Sequence, residues 1–178
     1  MTVDPMKEAL RRMPYGFYSI TSRHGDEVNA MVGNWLTQVS FEPRLLMFAL
    51  ARNAYTHGIV AEGGVFAVNI FNKDDSSEIK HYTKSRNKNP DKMNAAPWMP
   101  APVTGCPILE GAAAVIECRV VHFFETGGDH DLMVGEVVNA VILKPGDEHT
   151  SLPLPHKGWS YADSCPPTPV RRLLSADL

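Results

Sequence analysis

Between Asn29 and His57 the chain reads NAMVGNWLTQVSFEPRLLMFALARNAYTH, and no other segment says as much about its architecture. Two apolar runs, Leu36–Phe41 and Leu45–Ala51, flank the turn Glu42-Pro43-Arg44, which predicts neighbouring strands. The second run, LLMFALA, is almost entirely apolar, as is typical of a strand buried on both faces. This segment therefore predicts two strands joined by a turn.

Small polar side chains gather where these strands end. Thr37 and Ser40 stand in the first strand, and Arg52, Asn53 and Thr56 follow the second. A phosphate group needs hydroxyls, free backbone N–H groups and preferably an arginine, and it is favoured at a helix N-terminus. Alternatively, the first two are ordinary strand residues and Asn53 is only a helix cap. From the residues alone, this second interpretation is the commoner one.

The rest of the chain extends the β-rich pattern. A short helix capped by Asp4 is predicted from Pro5, before the first strand. Further strands are predicted at Tyr15–Ser22, Val28–Val32, Val65–Phe71, Gly111–Thr126 and Leu132–Lys144, with a turn at Arg23–Asp26 and short helices at Asn53–Ala61 and Ser76–Lys84. Strands without regular βαβ alternation favour a mainly β protein, a closed antiparallel or Greek-key barrel with a few short helices.

One long segment breaks this pattern. Lys84–Pro107 contains five prolines and is predicted to be an irregular arm. Arms of this length in a compact domain usually serve as lids or bind partners. We predict one domain over residues 1–178, with a core at about 10–145 and a C-terminal extension at 146–178, in which 157–161 is the ordered-looking piece.

Composition excludes several classes of function. With a net charge of −3, 44% hydrophobic and 21% charged residues, the 178-residue chain is typical of a globular protein that binds neither nucleic acid nor anionic membrane surfaces. It lacks both a signal peptide pattern and an apolar run of about 20 residues. Three scattered cysteines (Cys106, Cys118, Cys165) predict a reduced cytoplasmic protein without a CxxC site.

Common catalytic and metal motifs are missing from the sequence. It contains no GxGxxG, GxxxxGK[ST], HExxH or GxSxG, and no histidine pair at helical spacing, so we predict no metal site. His57 and His81 fall in predicted helices, where a lone histidine is more often structural than functional. His130 lies in the predicted turn Gly-Gly-Asp-His-Asp at the rim of the barrel.

The order of these segments resembles the flavin reductase-like family of FMN-binding split β-barrels, which includes flavoredoxins and the reductase components of two-component monooxygenases. The landmarks are S-x-x-P at Ser40–Pro43, F-A-V-N at Phe66–Asn69 and G-D-H at Gly128–His130. The resemblance covers about residues 10–145. Its specificity comes from the order and spacing of the landmarks together.

The resemblance implies a homodimer that binds FMN without a covalent link, near the subunit interface. It implies that the segment along the flavin consists of Gly33, Asn34, Trp35, Leu36 and Thr37. The next strand end at the site is formed by Ala51, Arg52 and Asn53, and the loop near the phosphate contains Thr56 and His57. His130 would shape access for the nicotinamide of NAD(P)H. The implied enzyme is an NAD(P)H:flavin (FMN) oxidoreductase that passes hydride from the nicotinamide to flavin N5.

One position departs from the family pattern. Many members carry Ala-Asn-Ser where this chain has Gly33-Asn34-Trp35. A tryptophan there narrows the flavin pocket and favours a protein that keeps its FMN. The alternatives are therefore a flavoredoxin-like electron-transfer protein with tightly bound FMN, or a non-catalytic flavin-binding interaction module. A reductase would instead deliver reduced flavin, or its electrons, to a partner monooxygenase or another acceptor.

Overall fold

The computed structural model describes residues 4–94 and 96–153, so most of the extension, including 157–161 and Cys165, lies outside the described residues. The described part contains two α-helices, nine strands and two short 3₁₀ helices at Glu78–Tyr82 and Lys92–Asn94. The helices are α1 (Pro5–Leu10) and α2 (Tyr55–Gly63), and the strands are β1 (Tyr18–His24), β2 (Glu27–Gly33), β3 (Leu36–Ser40), β4 (Leu45–Ala51), β5 (Val65–Ile70), β6 (Trp98–Pro100), β7 (Pro107–Leu109), β8 (Ala114–Glu125) and β9 (His130–Ile142).

Seven of these strands form one antiparallel sheet in the order β2-β1-β5-β8-β9-β4-β3, and β6 pairs with β7 separately. The edge strands β2 and β3 are separated in the chain only by Asn34 and Trp35. A flat sheet would hold its edges about 29 Å apart, whereas three Cα steps span at most about 11 Å. The sheet therefore rolls into a barrel that is split between β2 and β3. The predicted mainly β, antiparallel split barrel is confirmed.

Two apolar clusters hold the rolled sheet together. The first joins five strands to α2 and includes Ile20, Phe48, Leu50, Val60, Phe66, Val68 and Met133. The second joins the opposite face to the Lys84–Pro107 arm and includes Ala30, Ala67, Tyr82, Met93, Ala96, Cys106 and Leu109. Alternation along β5 sends Phe66 and Val68 to one cluster and Ala67 to the other. The arm thus covers one face of the sheet.

Local signals in the sequence located the start of α1 and the glycine that ends α2. The Asp4 side chain accepts a hydrogen bond from the Met6 backbone N–H at 3.0 Å, as expected of the predicted cap. Gly64 ends α2 with φ at 66°, a left-handed conformation that favours glycine. The bounds of β4, Leu45–Ala51, match the prediction. Short-range chemistry therefore defined these elements well.

Other predictions about single elements were wrong. β4 alternates between buried and half-buried residues, because only Leu46, Phe48 and Leu50 face the core. β1 continues through His24, so the predicted turn shortens to Gly25 and Asp26. The predicted helix at 76–84 is a 3₁₀ helix, the one at 53–61 begins and ends two residues later, and the arm contains a 3₁₀ turn and the β6–β7 hairpin. Contacts between the arm and the second apolar cluster hold the arm in this conformation.

Glu117 ties the arm to the barrel from the middle of β8. The side chain is fully buried, and its Oε2 accepts hydrogen bonds from the backbone N–H groups of Val103 and Thr104 at 3.0 and 2.6 Å. The Thr104 hydroxyl donates to the same oxygen, and Asn139 donates to Oε1 at 2.7 Å. Burial alone would raise the pKa of this carboxyl, but the hydrogen bonds outweigh it and lower the pKa.

We expect Glu117→Gln to lower the free energy of unfolding by about 2 kcal/mol at pH 7, since an amide NH₂ would oppose buried N–H donors. A lowered pKa means that the carboxylate stabilises the fold above its ordinary pKa of 4.5 and loses this contribution as the pH falls through the folded value. The gap to wild type should therefore shrink in acid. Urea denaturation at pH 7 and pH 3.5 measures this difference in stability. Glu136→Gln, at an exposed position of β9, is the control. Equal stability at pH 7 would contradict the assignment.

Candidate functional site

The split in the barrel opens a cleft around Trp35, here called the Trp35 cleft. It has a volume of about 530 Å³ and is lined by residues 13–15, 34–37, Met47 and Ala49. Met47 and Ala49 lie on the half-buried face of β4, so this face of the strand borders the cleft instead of packing against the core. The Trp35 carbonyl accepts a hydrogen bond from the Ala49 N–H at 3.0 Å, which fixes the crossing at the split.

The imidazole ring of His130 packs against the indole ring of Trp35. The centroids of the Trp35 and His130 rings lie 4.8 Å apart, with their planes tilted by 52°. His130 was predicted in a turn, but it is the first residue of β9 and pairs with Ala51. Its Nδ1 lies 2.8 Å from the Asp129 carboxylate, a contact that lowers the pKa of Asp129. The pairing of β4 with β9 therefore places the His130 ring against Trp35 at the split, where Asp129 also holds it.

A second cavity, here called the basic pocket, lies between β2, the N-terminus of α2 and the arm. It has a volume of about 350 Å³ and is lined by Asn29, Met31, Val32, residues 53–56, residues 82–87 and Lys92. Three of the described lining side chains are basic (Lys84, Arg86, Lys92), and none is acidic. Arg86 donates to the Val28 carbonyl at 3.1 Å and lies 5.3 Å above the Tyr55 ring, which holds the arm against β2 and α2.

Two residues that line this pocket carry a buried polar atom without a hydrogen-bond partner. Of the three such side-chain atoms found within 4–94 and 96–153, Asn29 Oδ1 and Tyr82 OH belong to residues that line it. Asn29 uses its amide group to donate to the buried Thr56 hydroxyl at 2.8 Å. Burial, followed by the charges of Glu78 and Glu110, raises the pKa of Tyr82 to about 12. Buried polar groups normally have partners, so a polar ligand fits here.

A buried carboxylate on β9 binds one side chain just after β4 and one in α2. Asp131 is 3% exposed, and its two oxygens lie 2.8 Å from Arg52 Nε and 2.9 Å from His57 Nε2. Burial alone would raise the pKa of Asp131, but hydrogen bonds and charge from His57 and Arg52 outweigh it and lower the pKa. We call these three residues the Asp131 clamp. It joins β9, the end of β4 and α2.

The predicted site residues therefore divide among three neighbouring places. Asn34, Trp35, Leu36 and Thr37 line the Trp35 cleft, whereas Asn53 and Thr56 line the basic pocket. Gly33 ends β2 at the split, and Ala51 pairs with His130. Arg52 and His57, both predicted near a phosphate, bind Asp131 instead of lining the basic pocket.

Sequence reasoning missed Asp131, Asn29 and the basic residues of the arm. Asp131 follows His130, so alternation along a strand sends a charged side chain to the opposite face, which is a signal that could have been used. The arm contains Lys84, Arg86 and Lys92 within nine residues, but no local sequence pattern indicated that these side chains lie near the start of α2. Their placement depends on contacts that are remote in the chain.

The site thus consists of a cleft lined by Trp35 beside a pocket lined by three basic side chains. The family model described as flavin reductase like domain matches residues 10–162. The chain belongs to this family. Its flavin reductase like domain is 28% identical over 143 residues to the NADH-dependent FAD reductase of Streptomyces globisporus, covering 78% of each protein. It is 29% identical over 140 residues to diflavin flavoprotein A 1 of Synechocystis sp..

Solved structures agree with this assignment. The NADH:FAD oxidoreductase SgcE6 of Streptomyces globisporus C-1027 has a TM-score of 0.69 and 28% identity, over 80% of this chain and 87% of that chain. An FMN-binding protein from Thermus thermophilus has a TM-score of 0.69 and 25% identity, over 80% of this chain and 78% of that chain. The alignment to the Synechocystis diflavin flavoprotein covers 78% of this chain but only 24% of that protein.

Two absences hold for the described part of the chain. No cluster of three histidine, cysteine or acidic side chains arranged to hold a metal ion is found in it. None of its helices is long and apolar enough to cross a membrane. The cytoplasmic location and the single-domain division stay predictions.

Proposed function

We propose that this protein is an NAD(P)H-dependent flavin reductase that binds FMN, with the phosphate in the basic pocket and the ring at the Trp35 cleft. The observation that carries the proposal is one cavity beside the split that is lined by three basic side chains and by Asn29 and Tyr82, whose Oδ1 and hydroxyl oxygen are buried without a partner. These groups fit a phosphorylated polyhydroxyl chain: cations for the phosphate and polar atoms for hydroxyls. NADH as reductant is supported by the likeness to the Streptomyces globisporus NADH-dependent FAD reductase.

The side chains have distinct tasks in this proposal. Bound flavin supplies the hydride-accepting ring, and the protein supplies position and electrostatics. Thr56 and Asn53 stand at the start of α2, where an anion is favoured by the helix N-terminus and by the arm's positive charge. Trp35 lines the cleft in which the nicotinamide would meet the ring, and His130 packs against its indole. The Asp131 clamp holds the β4 end, which carries Arg52, against β9 and α2.

This arrangement revises the source of positive charge for the phosphate. Arg52 directs its Nε to Asp131 and is 41% exposed in its side chain, so it is already partly neutralised. Lys84, Arg86 and Lys92 line the anion pocket without a carboxylate beside them in the described lining. We therefore place phosphate recognition chiefly on the arm. A role for Arg52 and His57 at the phosphate stays a prediction.

A homodimer is part of the proposal, as the resemblance implies. Large apolar side chains remain exposed along β8 and just after β3, among them Phe41 at 85%, Phe123 at 39% and Phe124 at 52%. Exposed apolar groups of this size are commonly covered in an oligomer. Light scattering on the purified protein measures the mass directly. A partner monooxygenase, or another electron acceptor, would then take the reduced flavin or its electrons.

The Trp35 ring favours a second candidate, an electron-transfer protein that keeps its FMN, because an indole at the split adds stacking area. Gel filtration after incubation with FMN, followed by NADH and NADPH oxidation assays, separates the two. Colourless protein that oxidises NADH or NADPH only with added FMN is expected of the reductase. Yellow protein that transfers electrons without flavin exchange supports the carrier. Failure to bind FMN at saturating concentration would contradict both and leave an interaction module.

A further inference from the structure

Lys92 is the most deeply buried cation among the basic side chains of the arm. It is 1% exposed, although it lines the basic pocket. Its Nζ donates to the Lys84 carbonyl at 3.1 Å. Within residues 4–94 and 96–153, no carboxylate lies within ion-pair distance of it. An ammonium group has three donors and is costly to bury unpaired, so the fold holds a charge that lacks its counter-ion.

We infer that Lys92 is the residue that distinguishes a phosphorylated flavin from one without phosphate, and that phosphate binding is accompanied by proton uptake at this lysine. The inference rests on the proposed function, since it takes the ligand of the basic pocket to be a flavin phosphate. It adds to that function a specificity residue and a coupled protonation step. The chemistry recognised is a phosphate group next to a polyhydroxyl chain.

The electrostatics of the pocket support this coupling. Burial, followed by the nearby charge of Arg86, lowers the pKa of Lys92 to about 8. A phosphate is close to doubly charged above pH 7, so it opposes both effects and favours the protonated amine. The proton comes from the buffer and is released again when the ligand leaves. A surface lysine, already charged at this pH, would show no such exchange.

The other titratable groups that face Lys92 do not compete at pH 8. Arg86 stays charged at every accessible pH. Tyr82 and Tyr55 line the same pocket, and their pKa values are raised above 10. Lys84 is exposed at the rim of the pocket. Proton uptake at pH 8 therefore reports on Lys92.

Lys92 also connects the ligand to the arm. Its bond to the Lys84 carbonyl closes the segment 84–92 on itself, and Met93 next to it is buried in the second apolar cluster. Arg86 joins the same segment to β2. A phosphate held by Lys92 and Arg86 would therefore fix the arm against β2 and α2. This gives the arm a role in retaining the ligand.

Calorimetric titration of the full chain with FMN and with riboflavin tests the inference, in two pH 8 buffers that differ in ionisation enthalpy (HEPES and Tris). With a pKa of about 8, Lys92 is half neutral at pH 8. Binding of FMN should therefore be accompanied by uptake of roughly half a proton by the protein, and binding of riboflavin by none. Lys92→Met should reduce the preference for FMN over riboflavin about fivefold and abolish proton uptake. Lys88→Met, an exposed lysine of the same segment outside the pocket lining, should change neither.

Lys92→Arg keeps the charge but cannot lose its proton, so it should keep the preference for FMN and lose proton uptake. Thermal unfolding checks that each variant folds; Lys92→Met removes an unpaired buried charge and should not be less stable. Unchanged proton uptake in Lys92→Met, or equal loss of FMN and riboflavin affinity, would overturn the inference while leaving the proposed function intact. Wild-type protein that binds neither flavin would instead overturn the proposed function, and the inference with it.

Discussion

Asp131→Ala is expected to weaken FMN binding at least about tenfold and to lower the melting temperature by several degrees, because two charge-assisted hydrogen bonds are lost at once. The carboxylate holds Arg52 at 2.8 Å and His57 at 2.9 Å. His57 directly follows Thr56, which lines the basic pocket and accepts a hydrogen bond from Asn29. Without the clamp, the start of α2 loses its side-chain bond to β9, although the first apolar cluster still holds the helix. The ligand pocket should lose its shape even though Asp131 does not line it.

Fluorescence titration with FMN and riboflavin, together with thermal unfolding, measures both effects. Because the clamp positions the pocket rather than contacting the phosphate, FMN and riboflavin affinities should fall together, unlike in the Lys92 variant. Asp131→Asn keeps an acceptor for one of the two partners and should lie between wild type and alanine. Asp74→Ala, an exposed aspartate without a described partner, controls for loss of one negative charge. An unchanged affinity in Asp131→Ala would remove the positioning role.

Much of the fold could be predicted from local patterns in the sequence. The apolar run of β4 gave both bounds of that strand and the cap at Asp4 gave the start of α1, since both depend on side chains a few residues apart; the predicted continuation of α1 to Pro14 was wrong, because the helix ends at Leu10. The landmarks Ser40–Pro43, Phe66–Asn69 and Gly128–His130 indicated the family, which the match over residues 10–162 confirms. Order and spacing along the chain were sufficient for these conclusions.

The sheet order was harder to obtain, because it depends on pairings remote in the chain. Nothing between Gly33 and Leu36 says that β2 and β3 lie at opposite edges of the sheet. That arrangement places Asn34 and Trp35 across the split, where they line a cleft. The sequence pointed to this segment, and the topology gives the physical reason that it lines a cleft.

The candidate site shows the same limit more sharply. Arg52 follows a buried strand and was predicted near a phosphate, a typical role for an arginine. Asp131, which lies 79 residues away in the chain, takes its Nε instead. Conversely, Lys84, Arg86 and Lys92 belong to an arm with no strong secondary-structure signal, and only its packing on the second apolar cluster brings them to α2. Charged side chains choose partners in space, which no local pattern records.

Trp35→Ala is expected to weaken FMN binding about 30-fold, since stacking of an aromatic side chain on a ring system contributes about 1–3 kcal/mol. The indole lies 4.8 Å from the His130 ring and lines the cleft at the split. Its removal also deprives His130 of its ring contact. We therefore expect the variant to emerge colourless from gel filtration and yet to oxidise NADH when FMN is supplied in excess.

Stopped-flow release of FMN and steady-state NADH oxidation separate retention from turnover in this variant. The dissociation rate should carry most of the change, because affinity differences among variants of one site usually lie in the rate of release. Trp35→Phe keeps an aromatic face and should restore most of the affinity, whereas His130→Ala should chiefly raise the KM for NADH. If Trp35→Ala retains FMN as tightly as wild type, the indole does not contact the flavin ring. The ring would then have to lie elsewhere along the split, and the case for a flavin-retaining electron carrier would lose the observation that favours it.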